Sequence, residues 1–248
     1  MEFGFSKLQD VAAVARYRLK RYLGAHPSLF FPIFRRRANY PDKLVDSNTD
    51  ICIEGFPRSA NSFAVGALQH AQSDNVNVAH HTHQPASVMR ACQQSVPVMV
   101  LIRKPADAVI SLQALSLETM VLDGKQPSID DLQVGFADHL RRYILFYESI
   151  QPYKKRFVTG SFEQVTQDYA AVIDRVNNRF STKFDLFDQT KENIRRVNKS
   201  RGRGNHAGPT DRRDKIKTRI REDFERRIAN RPSLGSLLSN ARALYEQF

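Results

Sequence analysis

Apolar residues recur along this chain in two rhythms. Between Lys7 and Leu23 they return every three or four positions, with Leu8, Val11, Ala12, Ala15, Leu19, Tyr22 and Leu23 on one stripe and Lys7, Arg16, Lys20 and Arg21 largely elsewhere. That spacing predicts a basic amphipathic helix whose apolar stripe packs inward and whose basic face is solvated, so contact with a membrane surface is not expected. From Asp50 onward short apolar runs take over. Ile51 to Glu54, Val76 to Ala79, Val96 to Ile102 and Arg156 to Thr159 read as strands, with helices starting near Asn61, Ala86, Pro105 and Thr166. Strands alternating with helices make a parallel sheet covered on both faces, and Pro105 suits the first turn of a helix. Beyond Phe180 strand signals fade into helices joined by a Gly- and Arg-rich stretch, Ser200 to Gly208. The expectation is one domain over 1–248: a helical extension (1–49), an α/β core (50–180) and a helical C-terminal part with a basic loop (181–248).

Composition narrows the function without naming it. The 248 residues carry a formal net charge of +12, with 41% hydrophobic and 26% charged residues. Most of such a chain folds, and the positive excess calls for an anionic partner such as nucleic acid, an acidic surface or a polyanionic nucleotide. Two cysteines, Cys52 and Cys92, support neither a disulfide framework nor a cysteine-rich zinc site. No apolar run approaches the roughly 18 residues of a membrane span, and the first residues lack the order of a signal peptide. A cytoplasmic protein fits these features.

The first chemical signal is Gly55-Phe56-Pro57-Arg58-Ser59-Ala60-Asn61-Ser62-Phe63, between a buried strand and a helix. A strand-loop-helix junction aims backbone N–H groups and a helix N-terminus at one point, which suits a phosphate or sulfate. Arg58 adds a fixed charge, and Ser59 and Ser62 add hydroxyl donors. The spacing is not that of a Walker A loop, so ATP with magnesium is not the natural ligand. The second signal is a buried strand ending in Arg103, followed by a helix that opens at Pro105 and carries Ser111 on its second turn. That spacing permits a guanidinium and a hydroxyl to flank one phosphate at the carboxyl end of the sheet. Its structural alternative pairs Arg103 with Asp107 and leaves Ser111 in solvent.

With both signals in view, the chain resembles the sulfotransferases that use 3'-phosphoadenosine 5'-phosphosulfate (PAPS). Pro57-Arg58-Ser59-Ala60-Asn61-Ser62-Phe63 stands where that family carries Pro-Lys-Ser-Gly-Thr-Thr-Trp or Arg-Ser-Gly-Ser-Ser-Phe. Arg103, Pro105 and Ser111 match its second motif, an Arg, a Pro two residues on and a Ser eight residues after the Arg. The resemblance implies a three-layer, P-loop NTPase-like α/β fold. It also implies transfer of a sulfuryl group from PAPS to a small-molecule or carbohydrate acceptor, leaving 3',5'-adenosine bisphosphate (PAP), with no metal ion.

By the same resemblance Arg58, Ser59, Ala60, Asn61 and Ser62 hold the 5'-phosphosulfate, Phe63 stacks on adenine, and Arg103 and Ser111 bind the 3'-phosphate. Arg201-Gly202-Arg203-Gly204 is the counterpart of a loop that closes over that phosphate. Arg156 to Glu163 resembles the family's next strand and the turn after it. Two departures stand out. Ala60 replaces a glycine, which is tolerable with a negative φ and counts against the assignment with a positive one, and Asn61 replaces a hydroxyl residue.

His80-His81-Thr82-His83-Gln84-Pro85 follows the second strand, on the same sheet edge as both phosphate motifs. Imidazole is a suitable base near neutral pH for an acceptor hydroxyl that loses its proton as it attacks. Thr82-His83-Gln84-Pro85 resembles a Thr-His-Leu-Pro stretch that supplies the base in cytosolic members, which assigns the role to His83. Glu118 or Asp123 is the carboxylate candidate if His83 is dispensable. Three neighbouring histidines also raise a metal site, but no Cys, Asp or Glu joins them in a recognisable ligand spacing. Two other classes compete with this reading. A P-loop kinase-like phosphotransferase lacks its Walker lysine here. A nucleic-acid-binding protein draws support from Arg212, Arg213, Lys215, Lys217, Arg219 and Arg221, which read better as a solvated helix face; no nucleic-acid partner is expected.

Overall fold

The computed structural model describes residues 2–200 and 211–248. Helices α1 (Glu2–Gly24) and α2 (Pro27–Phe34) precede the sheet. Four strands follow, β1 (Ile51–Gly55), β2 (Val78–His80), β3 (Val98–Ile102) and β4 (Val158–Ser161), all parallel and ordered β2-β1-β3-β4. Between β1 and β2 lies α3 (Asn61–Ala71), and between β2 and β3 lies α4 (Pro85–Gln93). Helices α5 (Pro105–Leu122) and α6 (Phe136–Ile150) link β3 to β4. After β4 come α7 (Phe162–Gln167), α8 (Tyr169–Phe180), α9 (Lys191–Ser200), α10 (Asp211–Asn230) and α11 (Pro232–Tyr245). The α/β core and the helical C-terminal part are those expected from the sequence, and Cys52 and Cys92 are buried free thiols.

Every residue of β1 and β3 is buried, because helices cover both faces of the sheet. Alternation sorts their side chains into two cores. Cys52, Val98, Val100 and Ile102 pack with α4, α5, α6, α10 and α11, whereas Ile51, Ile53, Met99 and Leu101 pack with α3 and α8. The connection leaving β1 therefore runs to one face and the connection leaving β3 to the other. Where two adjacent parallel strands send their connections to opposite faces, a crevice opens at their carboxyl ends. Arg58 and Arg103 stand at that crevice.

Gly55 is fixed by contact at the end of β1. A Cβ there would lie 2.2 Å from the Leu101 carbonyl oxygen, so any larger residue forces β1 away from β3. Tyr147 of α6 donates to the same carbonyl at 2.8 Å, and Tyr143 donates to the Arg103 carbonyl at 2.8 Å. Helix α6 was not separated from α5 by the sequence pattern, yet it pins the end of β3. The helix expected at Thr166 resolves into α7 and α8, divided at Asp168, whose side chain caps α8.

The inward stripe of α1 is not the expected one. Val14, Tyr17, Arg21 and Gly24 turn toward the protein, while Val11, Leu19 and Tyr22 are exposed. Polar fastening decides the rotation. Tyr17 bonds the His139 ring at 2.8 Å, Arg18 and Arg21 reach Asp138, and Gly24 leaves room for the Gln84 side chain. A stripe count based on hydropathy ranks Tyr17 and Arg21 as outward residues and so selects the wrong face. No described helix is long and apolar enough to cross a membrane.

Candidate active site

The crevice opens into a cavity of about 670 Å³, lined from α1, the β1–α3 loop, the β2–α4 loop, α5, α6, α7, α9 and α10. Six basic side chains line it, Lys20, Arg58, Arg103, Arg142, Arg213 and Lys217, and no Asp or Glu is among its described lining. A low-dielectric recess with that imbalance selects a multiply charged anion.

The β1–α3 loop places its charge by unusual backbone geometry. Arg58 has φ +73° and Ala60 has φ +69°, both in the left-handed region that glycine adopts at least cost. The structure thus has the positive φ at Ala60 that counts against its place in the expected motif. The loop keeps a glycine-like turn at position 60 and holds an alanine in it under strain. No side chain caps α3, so the N–H groups of its first turn are left for a ligand beside Arg58. Ser62 lines the cavity and its Oγ lies 2.8 Å from His81 Nε2. Asn61 also lines it, but its amide donates to the Phe56 carbonyl at 3.0 Å. Ser59 differs from expectation: its side chain is wholly buried against Tyr147 and is not part of the cavity wall.

Arg58 Nε donates to Ser111 Oγ at 3.1 Å, and Arg103 donates to the Arg58 carbonyl at 3.1 Å. Arg103 also lies 3.9 Å above the Phe162 ring. The two sequence motifs, 45 positions apart at these arginines, therefore meet in one wall. Ser111 is buried rather than solvated, and Asp107 bonds Arg221, so the structural alternative for this motif does not hold. Burial and then the neighbouring Arg213 and Arg103 push the Arg58 guanidinium down to about 10. A bound anion relieves that repulsion. Phe63 lines the cavity while its ring meets Phe187 edge-on at 5.8 Å, so it serves the core as well as the wall.

The β2–α4 loop hangs on one buried carboxyl group. Glu54 Oε1 accepts from Thr82 N and Thr82 Oγ1, both at 2.7 Å, and Oε2 accepts from His83 N at 3.0 Å. This grip holds His81 and His83 at φ +57° and +52°. His83 Nδ1 lies 2.9 Å from the Gly55 carbonyl, which can only accept, so Nδ1 carries the proton and Nε2 keeps its lone pair. No described residue bonds Nε2. Burial, and after it the Arg142 guanidinium, push the His83 imidazole down to about 3, which leaves it neutral at pH 7. Its side chain is 22% exposed, and it lines the cavity.

Several lining residues escaped the sequence reading. Arg213 was placed on a solvated helix face, but its side chain is only 4% exposed and its Nε meets Glu118 Oε2 at 2.7 Å. Its signal was position: with Ile216, Ile220 and Phe224 it belongs to the buried stripe of α10. Glu118 is consumed by that pair and stands outside the cavity wall, which removes it as an alternative base. Lys20 and Arg142 come from helices that carried no motif. Among the described residues, no three His, Cys, Asp or Glu side chains converge as a metal site requires. Arg201, Gly202 and Arg203 lie outside the described residues.

No protein-family model matches the chain, and no curated protein does. Among solved structures, mouse sulfotransferase SULT7A1 complexed with PAP aligns over 82% of this chain and 91% of that one, at 12% identity and a TM-score of 0.37.

Proposed function

We propose that this chain moves a sulfuryl group from PAPS to a hydroxyl or amine of a small-molecule or carbohydrate acceptor. One observation carries the reading: the Arg58 and Arg103–Ser111 motifs close on each other in a cation-lined cavity that also holds an imidazole whose Nδ1 is tied to Gly55 and whose Nε2 keeps its lone pair. PAPS supplies the activated sulfuryl group and a stable bisphosphate leaving group. The rest is positioning and electrostatics from this chain's residues. Arg58 and the uncapped N–H groups of α3 balance charge that grows on the bridging oxygen. Arg103 and Ser111 hold the 3'-phosphate. His83 Nε2 takes the proton of the acceptor as its oxygen or nitrogen attacks sulfur in line, and the Nδ1 bond to Gly55 keeps the ring aimed.

Calorimetric titration with PAP and with 5'-AMP, in buffer free of divalent metal, tests the reading. PAP should bind at least roughly tenfold tighter than AMP, since its extra phosphate gains a charge-assisted contact, and Arg103→Ala should abolish the preference. Equal, weak binding of both nucleotides by the native chain refutes it. With PAPS and an acceptor in hand, His83→Ala should slow transfer by about 10² to 10⁴ while leaving PAP affinity nearly unchanged.

A further inference from the structure

Helices α1 and α2 present a surface that the cavity does not use. Seven large hydrophobic side chains are exposed among the described residues, and five of them, Val11, Leu19, Tyr22, Leu29 and Ile33, fall on these two helices. Val11, Leu19 and Tyr22 are more than half exposed, at 67%, 57% and 56%. They recur at helical spacing, on a face of α1 turned away from the one that carries Tyr17 and Arg21, so they are not scattered positions.

Apart from Glu2 and Asp10 in the first turns of α1, the charge on these two helices and the turn after them is positive. From Val11 to Tyr40 the chain has seven Lys and Arg and no Asp or Glu. Arg18 and Arg21 are drawn to Asp138, but Arg16 and the run Arg35-Arg36-Arg37 stay exposed on the same segment. Arg35 and Arg37 lie over the rings of Phe31 and Phe34, at 5.8 and 4.9 Å from their centroids, at the end of α2.

We propose that this face seats the protein on an anionic lipid surface, with α1 and α2 lying in the plane of the headgroups. Exposed apolar side chains on a segment with a surplus of exposed arginines suit an interface in which the former enter the acyl boundary and the latter meet lipid phosphates. A second copy of this chain is a poor occupant, because a symmetric contact would set the same cations against one another. The seat would also have a consequence for the site. Lys20 belongs to α1 and lines the cavity, and His139 and Asp138 bind α1 to α6, so the mouth is carried to the surface with the helix.

Flotation of the full chain with vesicles tests this. The sequence has no Trp, so Leu19→Trp supplies a single fluorescent reporter. The chain should float with phosphatidylcholine vesicles containing phosphatidylserine and not with phosphatidylcholine alone, the reporter emission should shift to the blue, and salt should release it. Replacing Arg35, Arg36 and Arg37 by Gln should weaken partitioning by roughly 100-fold, about fivefold per charge. Val11→Ser with Leu19→Ser should weaken it with little change in the unfolding midpoint, since both side chains are more than half exposed. Absence of flotation, partitioning that none of these substitutions alters, or a dimer in light scattering that the Ser variants dissociate would overturn the proposal.

Discussion

Glu54→Gln isolates the buried carboxyl group from which the histidine loop hangs. The exchange keeps shape and one acceptor oxygen, but sets an amide NH2 against the N–H of either Thr82 or His83. Burial raises the Glu54 carboxyl from 4.5 to about 7, against the opposing pull of its Thr82 and His83 hydrogen bonds. Because the folded-state value lies above the unfolded one, the folded protein holds an extra proton between them. This group's contribution to stability is therefore full below pH 4.5 and is lost as pH rises through 7. Between pH 5 and 8 the loss amounts to about 2 to 3 kcal/mol. Other titrations cancel when native chain and variant are compared at each pH. Urea unfolding of both at pH 5, 6, 7 and 8 should show the native advantage over Glu54→Gln shrinking by that amount as pH rises. A constant difference, or one that grows with pH, would mean that the hydrogen bonds overcome burial and keep Glu54 ionised throughout, and the reasoning would fail.

Three further outcomes follow from the same geometry. Gly55→Ala should destabilise the chain by about 3 kcal/mol or more in urea unfolding, because its methyl would meet the Leu101 carbonyl at 2.2 Å. Ala60→Gly should stabilise it by up to about 1 kcal/mol with the loop unchanged, since it relieves a left-handed alanine. The partly exposed His83 and the buried His139 are both pushed to about 3, mainly by desolvation, so folded-state values lie below unfolded ones. The stability they lend is present above pH 6.5 and lost toward pH 3, and His139→Gln should reduce the acid-side slope by about 1 kcal/mol per pH unit in pH-dependent urea titrations.

The sheet and the strand-turn-helix junctions that carry Arg58 and Arg103 were legible because they depend on local rules. A buried apolar run ending in Gly55-Phe56-Pro57-Arg58, or in Arg103 ahead of Pro105, announces a strand, a turn and a helix start within a dozen residues. What was not legible depends on partners distant in sequence. The rotation of α1 is set by Tyr17 and Arg18 meeting residues 122 and 120 positions away. Arg213 leaves its apparent solvated face because Glu118 lies buried opposite it. Ser59 and Ser62 looked equivalent, and only the left-handed turns at Arg58 and Ala60 send one hydroxyl into the core and the other to the cavity.

Strain and charge in this protein converge on one place. Six described non-glycine residues have positive φ, and four of them, Arg58, Ala60, His81 and His83, lie in the two loops that leave β1 and β2 at the cavity. Arg58, Arg103 and Arg213 crowd the same wall, and burial together with that crowding pushes the Arg58 guanidinium down to about 10. Local rules are broken here and kept through the sheet and the helices around it, as expected where a site is held ready by the structure that surrounds it. A bound polyanion relieves the repulsion among these guanidinium groups. The site should therefore be stiffer and the whole fold more stable with PAP than without it, and the gain should follow the number of phosphates rather than the adenine, since the crowded groups are guanidinium ions and uncapped N–H donors.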